Sequence, residues 1–161
     1  MKQWLMIAFY LIGGSLLSAA DSTVTQSDAV LGTWFTEKDD SRIEIYACEG
    51  KFCGKITWLK DPLYDEHDQM AGKPKVDREN PKKALRSRSI VGLEIMTGFV
   101  FDEGSWVSGR IYDPESGKTY KCKMKISEEG HLQVRGYIGI PALGRTTTWT
   151  REPSDAQYAV E

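Results

Sequence analysis

The stretch at positions 105–126, SWVSGRIYDPESGKTYKCKMKI, contains two runs of alternating side chains joined by a turn. In its second run, apolar side chains alternate with Lys121, Lys123 and Lys125. Between the runs, DPESG at 113–117 has a proline where a type I turn prefers it and a glycine that closes the turn. Two alternating runs on either side of such a turn predict an antiparallel β-hairpin.

The same pattern repeats along most of the 161-residue chain. Alternating runs separated by turn residues predict about eight strands. They are Thr33–Glu37, Arg42–Cys48, Cys53–Leu59, Ile90–Phe101, Ser105–Tyr112, Lys118–Ile126, His131–Ile138 and Arg145–Arg151. Because nearly all are joined by hairpins, the sequence predicts an all-β fold, an antiparallel up-and-down barrel, with a sandwich as the alternative.

One long segment, Lys60–Ala84, departs from this pattern. It contains Pro62, Pro74 and Pro81, many charges and little periodicity. It is predicted to be a long surface loop with room for one helical turn. Loops of this length inside a compact domain are often functional, and a solvated insertion is the alternative.

The first twenty residues have the three parts of a secretory signal peptide. A basic start at 1–3 precedes an uncharged, mostly apolar run at 4–17 and the small residues Ser18-Ala19-Ala20. A membrane anchor is the weaker alternative, because this run is shorter than the ~20 apolar residues that a span needs. The remainder divides into a flexible N-terminus at 21–30, a β-barrel domain at 31–152 and a C-terminal tail at 153–161. We therefore expect a protein exported to the periplasm or the medium, in an oligomeric state that the sequence leaves open.

Charge and cysteine content narrow the class of protein. The net charge is −2, which argues against a nucleic-acid partner, since such proteins carry basic patches. In an oxidising compartment, Cys48 and Cys53 are predicted to form a disulfide across a short hairpin loop. Cys122 lies on an apolar face and is predicted to be a buried, inert thiol; reduced cysteines, or a bridge from Cys122 to either partner, are the alternatives.

Two further motifs resemble those of a known superfamily. Gly32-Thr33-Trp34 opens the first strand and Trp149-Thr150-Arg151 ends the last. This pairing is similar to the lipocalin superfamily, in which a Gly-x-Trp on the first strand packs against an arginine from a late strand. The resemblance implies that Trp34 closes one end of the barrel and that the Arg151 guanidinium lies across its face.

A larger set of motifs resembles one exported bacterial family, the domain-of-unknown-function family 2147. The motifs are GKITWL at 54–59, DRENP at 77–81, GRIYDP at 109–114, GKTY at 117–120, VRGYIG at 134–139 and WTR at 149–151. The resemblance covers about 31–152 and implies a lipocalin-like barrel in the bacterial envelope or medium. It implies no activity and supplies no catalytic residues.

Catalytic and metal sites are not predicted. With two histidines and no Gly-x-Ser-x-Gly motif, the sequence offers little acid–base or nucleophilic chemistry. The cluster Asp65-Glu66-His67-Asp68 lacks the spacing of a calcium loop, and a solvated loop explains it. No catalytic residue, metal ligand or cofactor is therefore assigned.

The prediction that remains is a binding site inside the barrel. Aromatic and basic side chains on the strands form the candidate ligand-binding set, Trp58, Trp106, Arg110, Tyr112, Tyr120, Arg135 and Tyr137. If they face inward, Arg110 and Arg135 would anchor an anionic amphipathic molecule by bidentate contacts. The alternative is that these mixed faces are exposed and the aliphatic faces fill the core. A small apolar or amphipathic ligand is thus the favoured partner; a protein- or glycan-binding envelope module is the second hypothesis, and an enzyme the third.

Overall fold

The computed structural model describes residues 25–153. These residues form a closed, all-antiparallel barrel of eight strands in sequential order. The strands are β1 Gly32–Phe35, β2 Ser41–Cys48, β3 Lys51–Leu59, β4 Glu94–Asp102, β5 Ser105–Asp113, β6 Lys118–Ile126, β7 Leu132–Tyr137 and β8 Arg145–Arg151. Pairing of β1 with β8, through Trp34 with Arg151 and Phe35 with Thr150, closes the barrel. The predicted barrel is therefore confirmed and the sandwich is not formed. The predicted signal peptide at 1–20, residues 21–24 and the tail beyond 153 lie outside the described residues.

The barrel has two different ends. At one end, here called the floor, a 3₁₀ helix at Gln26–Val30 precedes β1, and Val30 and Trp34 are fully buried. At the other end, here called the mouth, lie the connections β1–β2, β3–β4, β5–β6 and β7–β8. Among residues 25–153 no helix is long and apolar enough to cross a membrane.

The residues just before β1 form a short helix at the floor. This 3₁₀ helix packs on the floor, where Trp34 Nε1 donates to Val30 O at 2.9 Å and Trp106 Nε1 donates to Ser27 O at 3.0 Å. The two buried indole N–H groups need acceptors, and the helix carbonyls supply them. Residues 26–30 are therefore part of the closed end of the barrel.

Bulges reverse the side-chain alternation at several places. On β5, Trp106 pairs with Met124 and Gly109 with Cys122, so two residues of β5 stand opposite one of β6. Ser108 takes a positive φ of 62° at this bulge. An extra residue moves the following side chains to the opposite face. As a result, Trp106 and Gly109 both face the interior and Arg110 faces out.

The disulfide forms between Cys48 and Cys53, as predicted, with their Cα atoms 5.9 Å apart. The predicted short hairpin loop is a turn of two residues. Glu49 and Gly50 have φ values of 48° and 73°, and form a two-residue turn that pairs Cys48 with Lys51. Positive φ at both central residues is the geometry that matches the twist of paired strands. Cys122 is free and fully buried.

The connection after β3 is longer than the predicted Lys60–Ala84. It runs to Leu93, because β4 begins at Glu94 rather than at Ile90. It contains one 3₁₀ turn at Lys83–Leu85 and two isolated bridges, Leu63 with Pro74 and Val76 with Ser89. We call this segment, residues 60–93, the long connection.

Candidate functional site

A cavity of about 900 Å³ opens at the mouth. Its inner walls are aliphatic and are formed by strands and by the long connection. They include Ile43, Ile56, Ile90, Ile95, Ile111 and Val134. The floor side chains Trp34, Phe99 and Trp106 are buried and are not among the residues that line it. The barrel is therefore packed solid at the floor and hollow towards the mouth.

The solid half depends on a glycine of β5. A Cβ atom at Gly109 would lie 2.3 Å from the Phe99 ring, so this ring occupies the space above Gly109. Below it, Trp106 packs edge-on against Phe52, with ring centroids 6.4 Å apart. Large rings in contact with a strand glycine therefore fill this end of the barrel, and the cavity lies at the other end.

The polar residues that line the cavity carry an excess of negative charge. Seven are acidic and three are basic. The acidic set is Asp40, Asp61, Asp65, Asp68, Glu79, Asp113 and Glu115, and the basic set is Lys75, Arg78 and Arg145. Arg78 is already paired with Asp68 at 2.7 Å, and Arg145 lies 3.9 Å from Glu37. The mouth is therefore an acidic rim around an apolar interior.

Asp77 fixes the long connection to the barrel. Its carboxylate is fully buried and accepts hydrogen bonds from the Tyr112 hydroxyl at 2.5 Å, Arg88 Nη2 at 2.7 Å and Asn80 Nδ2 at 2.8 Å. Burial alone would raise the pKa of Asp77, but these three donors outweigh burial and hold its pKa below the usual range. Burial and the bond to Asp77 raise the pKa of Tyr112 to about 12. The pair is thus an ionised carboxylate held by a neutral phenol.

A second contact locks the same segment against the β5–β6 turn. Gly117 has a φ of 68°, and a Cβ atom there would lie 2.0 Å from Glu79 O. The far end of the connection is bonded to β3, where Gly92 N donates to Ile56 O at 2.7 Å and Ile56 N donates to Leu93 O at 3.0 Å. The long connection is therefore a built wall of the mouth, bonded to the barrel at both sides.

Of the seven residues predicted to bind a ligand, Tyr112 and Tyr120 line the cavity. Trp106 belongs to the floor instead. Trp58 is on the outer surface, 37% exposed, with the Arg42 guanidinium 5.0 Å from its ring. A bulge explains this position, because Ile43 pairs with Ile56 and Arg42 with Trp58, which leaves Thr57 unpaired and turns Trp58 outward. Tyr137 is half-buried at the end of β7 and does not line the cavity.

The two predicted arginine anchors are also outside the cavity, so the prediction of an internal anion clamp is wrong. Arg110 is exposed on β5. Arg135 donates to Pro141 O at 2.8 Å and Thr146 Oγ1 at 2.7 Å on the outer surface. On β7 the aliphatic residues Leu132 and Val134 are buried and point inward. Because side chains alternate between the two faces of a strand, Arg135 points outward.

Sequence reasoning missed three residues of the mouth. Tyr64 is 8% exposed, lines the cavity, and its hydroxyl donates to Val76 O and accepts from Val76 N, both at 3.1 Å. Asp77 and Asn80 are the buried polar residues of the long connection. The DRENP motif at 77–81 was the available signal, but a motif without periodicity does not reveal that its first residue is buried.

Reactive groups are few in the part of the chain that the structure describes. Within residues 25–153 no three His, Cys, Asp or Glu side chains converge as metal ligands would. Burial raises the pKa of the Cys122 thiol to about 12, so it is protonated at neutral pH and a poor nucleophile. This agrees with the inert thiol that the sequence predicts.

Comparison with known proteins gives a family and a fold. A family model described as an uncharacterized protein conserved in bacteria, DUF2147, matches residues 32–151. A solved structure, protein HP1028 from the human pathogen Helicobacter pylori, is described as belonging to the lipocalin family. The two sequences are 26% identical, and the alignment covers 79% of this chain and 84% of the Helicobacter protein, with a TM-score of 0.65. No curated protein matches. Because the family model spans most of the chain and the barrel resembles a lipocalin, the protein belongs to the DUF2147 family and has a lipocalin-like fold.

Proposed function

We propose that this protein is exported, has no enzymatic activity, and binds one small amphipathic molecule in the cavity at its mouth. The observation that carries the proposal is the cavity itself, about 900 Å³ with aliphatic walls. Binding sites for small molecules span ~300–1,000 Å³ and are mostly apolar with a few placed polar groups. An eight-stranded barrel is just wide enough to hold one such ligand.

The distribution of charge favours a head group different from the one expected from sequence. The apolar part of the ligand would lie against Ile56, Ile95 and Ile111, with its polar end at the rim. Seven acidic residues against three basic ones would repel a carboxylate and attract a cation. We therefore propose a cationic or neutral amphiphile in place of the anionic one.

Gly136 provides the sharpest variant for a test. It lines the cavity, and a Cβ atom there would meet Ile111 Cγ2 and Tyr120 Cβ at 3.7 Å, an ordinary contact distance. Gly136→Leu should therefore fold and fill the cavity. Thr148→Leu adds the same side-chain type at an exposed position of β8 and serves as the matched control.

The experiment is titration calorimetry with dodecylamine and dodecanoic acid, together with native mass spectrometry of the purified protein. We expect the amine to bind about tenfold more tightly than the acid. A difference of this size is what the interaction of one head-group charge with the acidic rim would give. Gly136→Leu should abolish binding and Thr148→Leu should preserve it. Equal binding by both variants would place the ligand outside the cavity.

The protein- or glycan-binding module remains the competing hypothesis. Trp58, the exposed aromatic residue that it would use, is partly covered by Arg42. If neither amphiphile binds and no small molecule co-purifies, the cavity proposal fails and the module becomes the favoured function.

A further inference from the structure

The outer surface of β5, β6 and β7 is covered by basic side chains. We call Arg110, Lys121, Lys123, Lys125 and Arg135 the basic wall. In the strand register, Arg110 stands opposite Lys121 and Lys123 stands opposite Arg135. Within residues 25–153 none of the five has a carboxylate within 4.0 Å. A protein with a net charge of −2 thus gathers, on one face, positive charge that no carboxylate neutralises.

This arrangement opposes the stability of the sheet. Like charges directly opposite one another on paired strands are destabilising, and opposite charges at such positions are stabilising. The barrel does use the favourable pattern elsewhere, since Glu44 faces Lys55 across β2 and β3 with an ion pair of 3.0 Å. Two adjacent like-charged pairs therefore do not stabilise the fold. Binding of an anionic partner would explain why they are present.

An exposed apolar loop borders the wall at the mouth. We call residues 138–144 the apolar loop; in it Ile138 is 70% exposed, Ile140 59% and Leu143 80%. Large side chains this exposed, next to one another, commonly mark a surface that meets an apolar partner.

The shape of this loop is set by a member of the basic wall. Arg135 donates to the carbonyls of Pro141 at 2.8 Å and Ala142 at 3.2 Å, and to Thr146 Oγ1 at 2.7 Å. A Cβ atom at Gly144 would lie 2.6 Å from Gly136 O, so the backbone of the loop is drawn against β7. These contacts hold the backbone and leave the aliphatic side chains pointing away from the barrel.

We propose that the basic wall and the apolar loop together form a docking surface for an anionic lipid bilayer. Lysine and arginine side chains attract anionic headgroups, and exposed aliphatic side chains gain free energy by entering the interface between headgroups and acyl chains. The apolar loop is the reason to prefer a bilayer to a nucleic acid as the partner. A nucleic acid would bind the basic side chains but would leave the aliphatic side chains of the loop in water.

The test is cosedimentation of the protein recovered after export with vesicles of phosphatidylglycerol and phosphatidylethanolamine in equal parts. Vesicles of phosphatidylcholine alone are the uncharged comparison. Lys121→Gln/Lys123→Gln should weaken binding by about fivefold for each lysine removed. Ile140→Ser/Leu143→Ser should weaken it by about tenfold or more, since two aliphatic side chains no longer enter the interface.

Matched controls separate this surface from general charge and hydrophobicity. Lys82→Gln/Lys83→Gln removes the same charge from the exposed part of the long connection, and Val100→Ser removes an exposed aliphatic residue from β4. Both should bind as the parent does. Lys121→Gln/Lys123→Gln should also keep or raise the melting temperature, because each lysine faces a like charge on a neighbouring strand. Weaker binding by this variant would then not be caused by unfolding.

Three results would overturn the proposal. They are equal binding to charged and uncharged vesicles, equal losses in the control variants, or a duplex oligonucleotide that binds more tightly than the vesicles and is insensitive to Ile140→Ser/Leu143→Ser. The last result would assign the wall to a nucleic acid. This surface and the cavity rest on separate observations, so either proposal can fail alone.

Discussion

The Tyr112 hydroxyl donates a hydrogen bond of 2.5 Å to Asp77 Oδ1, and this contact joins β5 to the long connection. It closes a network in which Asp77, fully buried, also accepts from Arg88 and Asn80. A buried carboxylate is costly unless it is fully hydrogen-bonded, and here three donors satisfy it. The wall of the cavity mouth therefore depends on the ionised state of one side chain.

Asp77→Asn should destabilise the protein at neutral pH by about 2–3 kcal/mol. The substitution turns charged hydrogen bonds into neutral ones, and the new NH₂ group faces a donor where the carboxylate oxygen had accepted a hydrogen bond. The pKa of Asp77 is lower in the folded protein than its usual value. Its contribution is then fully present above the unfolded pKa of about 3.9 and is lost as the pH falls through the folded pKa. Urea unfolding of both proteins between neutral pH and about pH 3 should show the difference shrinking with acidification. Asp61→Asn, at an exposed position of the same connection, is the control and should show no comparable loss.

Arg151 and Trp34 should be energetically coupled at the floor. The guanidinium lies 4.1 Å from the Trp34 ring centroid and donates to Leu31 O at 2.7 Å. Gly32 has a φ of 116°, and a Cβ atom there would lie 3.0 Å from Arg151 Nη1. Trp34→Ala should cost about 3–5 kcal/mol, as loss of a large buried aromatic does, and Arg151→Ala should cost less. A double-mutant cycle by denaturant unfolding should give a coupling of about 1 kcal/mol, whereas additive effects would mean that the contact contributes nothing.

Removal of the Cys48–Cys53 disulfide should leave the fold intact but less stable. The bridge closes a loop of only a few residues, for which chain entropy predicts about 2 kcal/mol. Cys48→Ser/Cys53→Ser should therefore melt at a lower temperature and keep its β-sheet circular dichroism. In the same variant, Cys122 should react with a maleimide only under unfolding conditions, because its thiol is buried and its pKa is raised to about 12. Rapid labelling of the native protein would contradict the packed core.

Export should remove residues 1–20. The basic start, apolar run and small residues at 18–20 have the pattern that a signal peptidase recognises. Expression of the full chain in a bacterium, followed by fractionation and N-terminal sequencing, should return Asp21 from a soluble extracytoplasmic fraction. Recovery of Met1 from a membrane pellet would instead favour the anchor.

The strands and their order follow from local features of the sequence. Each hairpin contains its own turn residues, such as Pro114 and Gly117, so β6 was predicted with the bounds Lys118–Ile126 that the structure has. Where a break is less marked, the boundary moves. Ile90 and Leu93 look like the start of β4, yet they belong to the long connection, because Gly92 bonds back to Ile56 before the ladder with β5 begins.

The assignment of faces required the tertiary structure. Alternation with a period of two shows which residues share a face of a strand, but it does not show which of the two faces lies inside the barrel. The bulge at Ser108 then places Trp106 inside and Arg110 outside, although both occupy even positions of one run. The bulge at Thr57 likewise turns Trp58 outward.

The sequence by itself determined that this chain forms about eight sequential antiparallel strands, and it favoured a barrel and a hairpin disulfide, because turns, alternation and neighbouring cysteines act over short distances along the chain. Only the tertiary structure decided where the cavity, the acidic rim and the basic wall lie. Each of these depends on residues distant in sequence, such as Asp77 and Tyr112 or Lys123 and Arg135. Barrel closure sets their neighbours, and the bulges that allow the sheet to curve also determine which side chains it encloses.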